Sequence, residues 1–348
     1  MTIINNINIS GPINIVRLEG EVNSMKKVLY IFFDYHVRET KCSDYGSLDI
    51  TQLFNKFTDE AVNLKNEWDL FIEDNIDYIY NKDVIGKSNY VNIYILELRN
   101  FFNNKFSEKV NNVIKKKDNI RYHYFDLRMT LNYFNIYDNL NNLIKSENIN
   151  NFYNNNVEYI YKLILLDYEY IFKKDNKINK KYSNVKIRDI IINILNNYER
   201  KFKKLLKKFK DIMKDVKGTS NVLFKKLTKE GIYDYDKKIR DKIINFRNDY
   251  MYFYAKIVDL YFLRRFLDKK YIKNGVIYTG FSHSLNIIFK LVKLFNFKIS
   301  NASYSNVRLE ELNSIIKKSK DYKDFELNLL PNFLVQCSSM KNFPDMFL

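Results

Sequence analysis

An alternation of strand and helix signals occupies both ends of this chain and is missing between them, and that limits the fold more than any other feature. INIVRL (13–18) and VLYIFF (28–33) are short apolar, β-branched runs joined through EGEVNSMKK as a hairpin or near-hairpin. SLDITQLFNKFTDEAVNLKNE (47–67) carries apolar residues at helical spacing and leads into WDLFI (68–72). NIYILELRNFFNNKFSEKVNNVI (92–114) repeats the pattern before IRYHYF (120–125). This rhythm predicts a parallel sheet with helices on its faces, because each crossover helix returns the chain to the end where the previous strand began.

From about 130 to 270 the strand signals vanish. The longest helical stretch, around 185–217, sets apolar residues from Ile190 to Val216 at three-four spacing on one stripe, which demands a partner helix. Its other face carries Lys201, Lys203, Lys204, Lys207, Lys208, Lys210 and Lys214. A second stretch, 236–268, runs from Ile239 to Leu267 at similar spacing, and the two predict an antiparallel helical hairpin. Alternation then returns as VIYT (276–279), a turn and helix from Gly280 to Phe295, and FKIS (297–300). The expected fold class is α/β, with a central, largely parallel sheet and flanking helices. Residues 1–130 and 271–348 supply it, and a large helical insertion, or cap, over 131–270 interrupts it.

A hydrophobic content of 46% with 16% aromatics excludes a disordered chain. The bias to Asn, Lys, Ile and Tyr, with only 8 Gly and 3 Pro, reads as the mark of an AT-rich genome. A net charge of +17 still attracts nucleic acid or another anionic partner, and Lys201–Lys217 is the place expected to do so. The apolar stripe of the same helix allows a helix-mediated oligomer. No apolar run is long enough for a membrane span, and MTIINNINISG lacks a signal-peptide layout. Cys42 and Cys337 are the only cysteines, too few for a disulfide framework and suited to a reducing cytosol; Cys42 is also conceivable as a nucleophile near His36. No phosphate-binding loop, dinucleotide fingerprint or zinc-finger spacing occurs.

The three histidines, His36, His123 and His283, fall in or just after expected strands. Strands of a parallel sheet deliver their carboxyl ends to one crevice, where ligands bind in open α/β sheets. Asp34 and His36 follow VLYIFF, Glu73 follows WDLFI, Asp126 and Arg128 follow IRYHYF, and His283 follows VIYTGFS. Singly these residues have ordinary roles as turn, cap or surface groups, with Gly280 supplying a positive φ and Ser282 or Ser284 a helix cap. His123 alternates with Tyr122 and Tyr124 inside its strand and is expected to be packed. Together, the strand-end set points to general base catalysis or to a divalent metal held by His36, Glu73 and His283. Arg128 would clamp an anionic group.

These strand ends resemble the α/β group that includes erythromycin esterases, similar haem-binding lipoproteins and Tiki/TraB-like metalloproteases. That group shows an early G-E-x-H or G-x-x-H, a strand ending in Glu, and a later G-x-x-H leading into a helix. Here the later motif is Gly280-Phe281-Ser282-His283, Glu73 ends its strand, and Asp126-Leu127-Arg128 is similar to a D-x-R found in some members. The early motif reads Phe33-Asp34-Tyr35-His36, with Phe for Gly and Asp for Glu. The resemblance implies a hydrolase-like or metal-binding function. DLYFLRRFLDKKYI and YTGFSHSLNIIF also resemble uncharacterised proteins of giant DNA viruses similar to mimivirus. That implies a place in the host cytoplasm or the virion, and a non-enzymatic role binding nucleic acid or virion components as the alternative function.

Overall fold

A computed structural model describes residues 7–35, 41–44, 46–59, 66–73, 93–105, 114–117, 119–146, 149–173, 178, 182–219 and 229–344. The chain divides into two units, Met1–Asp126 with Arg265–Leu348, and Leu127–Arg264. The chain order begins β1 (Asn8–Ser10), β2 (Asn14–Val22), β3 (Met25–Asp34), β4 (Leu48–Asp49), α1 (Ile50–Asp59), β5 (Trp68–Ile72), α2 (Ile93–Lys105), β6 (Ile114–Lys117) and β7 (Ile120–Tyr124). It continues through α3 (Tyr133–Lys145), α4 (Ile149–Tyr168) with a π-helical turn over Glu169–Lys173, α5 (Val185–Thr219) and α6 (Lys229–Asp268). It closes with β8 (Asn274–Gly280), α7 (Phe281–Leu294), β9 (Lys298–Ala302), α8 (Leu309–Lys318) and β10 (Cys337–Ser339).

The first unit is mixed α/β. Its larger sheet has, among the described residues, seven strands in the order β6-β7-β5-β8-β3-β2-β9. The pairs β7–β5, β5–β8 and β8–β3 are parallel, and β3–β2, β2–β9 and β7–β6 are antiparallel. The central strands are mostly buried on both faces, which is why they read as nearly continuous apolar runs. Tyr30, Phe32, Trp68, Leu70, Tyr122, Tyr124, Val276 and Tyr278 form one face and pack on Leu53, Phe54 and Phe57 of α1 and Leu98 and Phe102 of α2. The other face meets α7, where Phe281 lies 5.8 Å from Phe33.

The β2–β3 hairpin closes with only two residues between the paired Val22 and Met25, and both Asn23 (φ 53°) and Ser24 (φ 58°) are left-handed. Such a turn follows the natural twist of two antiparallel strands. At the outer edge, the Asn313 side chain accepts from Ile299 N–H (2.9 Å) and donates to Ile299 C=O (3.0 Å), so an amide from α8 covers strand groups that would otherwise be open to pairing. Lys27, buried near the start of β3, donates to the carbonyls of Phe266, Lys269 and Ile272 and so ties the end of α6 to the sheet. Burial brings its ammonium down to about 8, against the opposing pull of Asp69 and Asp268.

A smaller sheet, β10-β1-β4, was not foreseen. Its strands are two or three residues long and none alone carries a hydrophobic period. Beside it Cys42 and Cys337 are bonded to each other across 295 positions, with Cα atoms 5.1 Å apart. The expectation of a nucleophilic Cys42 is therefore corrected, since its sulfur is bonded to Cys337. Sequence separation hid a pair that only the chain's return to its own N-terminus brings together.

The second unit is helical among its described residues. Helix α5 runs antiparallel to α4, with Lys217 paired to Glu158 (2.7 Å) and the Tyr168 hydroxyl donating to Glu199 (2.6 Å) at the opposite end. It also runs antiparallel to α6, through Phe202–Phe253 (4.9 Å) and Phe209–Phe246 (4.8 Å) ring contacts and the Lys208–Asp249 and Lys242–Asp215 ion pairs. Ile191, Phe202, Phe209 and Val216 are buried, so helices of the same chain cover the stripe that demanded a partner. At the centre lies Asp167. Its carboxylate accepts from the backbone and side chain of Asn132, just before α3, and from the hydroxyls of Tyr250 (3.1 Å) and Tyr254 (2.6 Å). Burial raises the Asp167 carboxyl despite these four donors.

Asp167→Ala would leave several buried donors without an acceptor and is expected to destabilise the protein by about 3–5 kcal/mol, with the isosteric Asp167→Asn losing less. Urea denaturation followed by circular dichroism measures both, and equal midpoints for Asp167→Ala and the parent would show that the network carries no stability.

Candidate functional site at the strand ends

Neighbouring parallel strands bring Phe33 and Asp34 of the early motif beside Thr279 and Gly280 at the start of the later one. Asp34, the last residue of β3, is opposite Gly280, the last of β8, and Glu73 follows β5 on the other side of β8. The Glu73 amide reaches the Tyr278 carbonyl at 3.4 Å, carrying the β5–β8 pairing one residue further. This places the Glu73 side chain over the β8–α7 turn. There Oε2 accepts from the Thr279 hydroxyl (2.8 Å) and the Gly280 N–H (3.0 Å), while Oε1 faces His283 Nε2 at 3.5 Å.

Every member of this arrangement is buried, with Glu73 at 4% and His283 at 7% exposure. A carboxylate at the first turn of α7 also lies at the positive end of the helix dipole. Gly280 has φ −56°, so its glycine is not required for a left-handed turn, contrary to expectation. No side chain caps α7; Ser284 instead donates back to the carbonyls of Thr279 (3.3 Å) and Gly280 (3.2 Å), which fixes the turn carrying His283. A carboxylate facing Nε2 favours the imidazole tautomer that carries its proton on that nitrogen.

The remaining expected site residues divide. Asp34 is fully buried at the same sheet edge, beside the Tyr278 hydroxyl, which burial and then Asp34 push well above 10. Asp126 follows β7 and is 9% exposed. Arg128 falls in the second unit, where its guanidinium lies 5.8 Å from the centre of the Tyr133 ring. His36 lies outside the described residues, and with it the metal set His36, Glu73 and His283. Among the described residues no group of three or more His, Cys, Asp or Glu is placed to hold a metal ion. Phe33, where the resemblance expects glycine, is fully buried against Phe281, and Tyr35 meets the same ring edge-on at 5.8 Å.

Sequence reasoning missed a second polar cluster nearer the strands' amino ends. Arg121 of β7 grips Asp69 of β5 with two hydrogen bonds (2.8 and 2.7 Å), and also reaches Glu67 (2.5 Å) and the Tyr271 carbonyl (2.8 Å). His123 donates from Nε2 to Asp69 at 2.5 Å and stacks on Phe71 with ring centroids 4.6 Å apart. Burial alone would raise the Asp69 carboxyl, but hydrogen bonds from Arg121 and His123 hold it below its usual value. Burial lowers His123 to about 4, more than Asp69 can offset, and nearby Arg265 and Arg121 add to the effect. The imidazole is therefore neutral, and its Nδ1 finds no partner among the described residues. Asp69, Arg121 and His123 share one alternation phase in otherwise apolar strands, which is the signal that could have found them.

The chain matches a family of unknown function, DUF5847, over residues 7–166 and 136–348. It is similar to uncharacterized protein R706 of Acanthamoeba polyphaga mimivirus, 30% identical over 97% of this chain and 96% of the relative. Uncharacterized protein R161 of the same virus is 29% identical over 99% of this chain and 98% of its own length. A shorter relative, uncharacterized protein R129, is 32% identical over 40% of this chain and 84% of its own. No solved structure matches. The giant-virus resemblance is thus shown, and none of these relatives carries an erythromycin-esterase label.

Because His123 is held neutral to about pH 4 in the fold but titrates near 6.5 when unfolded, the unfolded chain binds more protons between these values. Stability is expected to fall as pH drops from 6.5 towards 4, by up to about 3 kcal/mol from this residue. Urea midpoints measured across that range for the parent and His123→Gln check this, since the variant should lose that part of the slope.

Proposed function

The chain belongs to DUF5847, a family of unknown function, and we propose that it is a hydrolase-like protein in which His283, oriented by Glu73, activates a water or hydroxyl. One observation carries this reading: one Glu73 oxygen is fixed by Thr279 and Gly280 while the other faces His283 Nε2 at 3.5 Å. A carboxylate held this way fixes the tautomer of its histidine and stabilises the imidazolium that forms on proton transfer. Asp34 at the neighbouring strand end adds a second buried carboxylate to the same edge. The strand-end motifs similar to the erythromycin-esterase-like group support the reading; the mimivirus relatives bring no activity to it.

A panel of nitrophenyl carboxylate and phosphate esters, offered with and without added zinc or manganese, tests the site without knowledge of the natural substrate. His283→Ala and Glu73→Gln should each lower kcat/KM by about 100-fold or more, with helical content unchanged. Turnover by both variants at the parent rate would refute the assignment.

A second reading, in which the helical unit inserted between the two pieces of the α/β unit binds nucleic acid, is favoured by the exposed face of α5. Lys203, Lys208 and Lys217 are spent on Glu199, Asp249 and Glu158, but Lys201, Lys204 and Lys207 are exposed without an acidic partner among the described residues. If these lysines track phosphates, replacing all three by Gln should reduce the slope of log K against log salt by about two to three for duplex DNA. An unchanged slope would remove this reading.

A further inference from the structure

The chain has two cysteines, and folding bonds them to each other across 295 positions. A sole pair of cysteines set anywhere in a chain of this length would rarely come within bridging reach, so the pairing asks for a physical role. Around it Ile9 and Met340 pack into the core, but regular pairing is scant. The strands of the β10-β1-β4 sheet hold three, three and two residues, too short to persist by their own pairing. Both cysteines are half-buried and so reachable by a small thiol.

From this bond a run of hydrogen bonds leads to the strand ends. Cys42 N–H donates to Ser10 Oγ at 3.0 Å, and Ser10 is the strand partner of Cys337. The next residue of β10, Ser338, donates to the Pro12 carbonyl at 2.8 Å, and Gly11 N–H reaches the Gln336 carbonyl at 2.9 Å. Ile13 N–H then donates to the Phe33 carbonyl at 2.9 Å, at the end of β3. Asp34 follows, opposite Gly280, whose N–H holds Glu73 at 3.0 Å.

We propose that the Cys42–Cys337 bond is a reversible redox clasp on the small sheet that keeps the Glu73–His283 strand end in its ordered arrangement. The proposal rests on reading that strand end as a site. Closing the clasp removes two electrons from two thiols, and a small-molecule disulfide such as oxidised glutathione is the class of oxidant that fits. Attack by one cysteine thiolate breaks the glutathione S–S bond and forms a mixed disulfide; the second cysteine displaces the bound glutathione. One protein S–S bond forms, and the two protons end on two reduced glutathione molecules. The strand ends are then held where thiols are oxidised and loosened where they are kept reduced.

The test is hydrogen exchange by mass spectrometry on the full chain, purified without reductant, before and after dithiothreitol, beside a Cys42→Ser/Cys337→Ser double variant. The unreduced protein, denatured and alkylated, should show neither cysteine modified. Reduction should free both and speed exchange at 8–13, 336–340 and 280–284 by about tenfold or more, leaving α4 and α5 unchanged. Dithiothreitol should have no effect on the double variant. Free thiols in the unreduced protein would overturn the proposal, and so would faster exchange confined to 8–13 and 336–340, which marks a staple that does not reach the site. Exchange needs no substrate, so this outcome is separate from whether His283 and Glu73 hydrolyse an ester.

Discussion

The buried pair of Asp69 and Arg121 is the interaction on which the α/β unit depends. Two charges taken out of water are tolerated only when each meets the other with good geometry, and here the guanidinium meets the carboxylate through two parallel hydrogen bonds. Because the residues face each other in register on β5 and β7, a slip of one position would turn one of the two charges to the opposite, aromatic face and part the pair. The pair therefore sets which residues of these two strands reach the carboxyl edge. Its cost is carried by His123, kept neutral beside a carboxylate because burial and two arginines outweigh that charge.

With register set, the strand ends follow. Ile72 stands opposite Tyr278, so Glu73 emerges where the Thr279 hydroxyl and the Gly280 amide can hold it, and the first turn of α7 brings His283 to its other oxygen. The second unit uses the opposite device. Asp167 is a buried carboxylate with no cation against it among the described residues, satisfied by neutral donors, and burial raises it where Arg121 keeps Asp69 low. The first arrangement fixes register between strands; the second joins three helices, α3, α4 and α6, around tyrosine hydroxyls.

Much of the α/β core was legible. WDLFI is β5 at 68–72, VLYIFF and VIYT lie in β3 and β8, and IRYHYF begins with β7, because strands buried on both faces are mostly apolar. The 185–217 stripe is α5, although its partners come from its own chain. Glu73 and His283 were also legible, as polar residues at the ends of such runs. Legibility failed where the signal was not periodic. β1, β4 and β10 are too short to show a period, and β6 reads as lysines. Gly280 was read as a turn glycine for a φ it does not have. Asp69 and Arg121 were passed over because a charge inside a strand has meaning only once its cross-strand neighbour is known.

By itself the sequence determined the α/β class, the strands of the central sheet, the two long antiparallel helices and the carboxyl edge at which Glu73 and His283 stand. Hydrophobic period and chain polarity are local properties, written in consecutive residues. Only the tertiary structure decided that Asp69 pairs with Arg121, that Asp167 gathers donors from Asn132 and α6, and that Cys42 bonds to Cys337. Those choices depend on which distant residues share a few ångströms, a relation that composition and spacing do not encode.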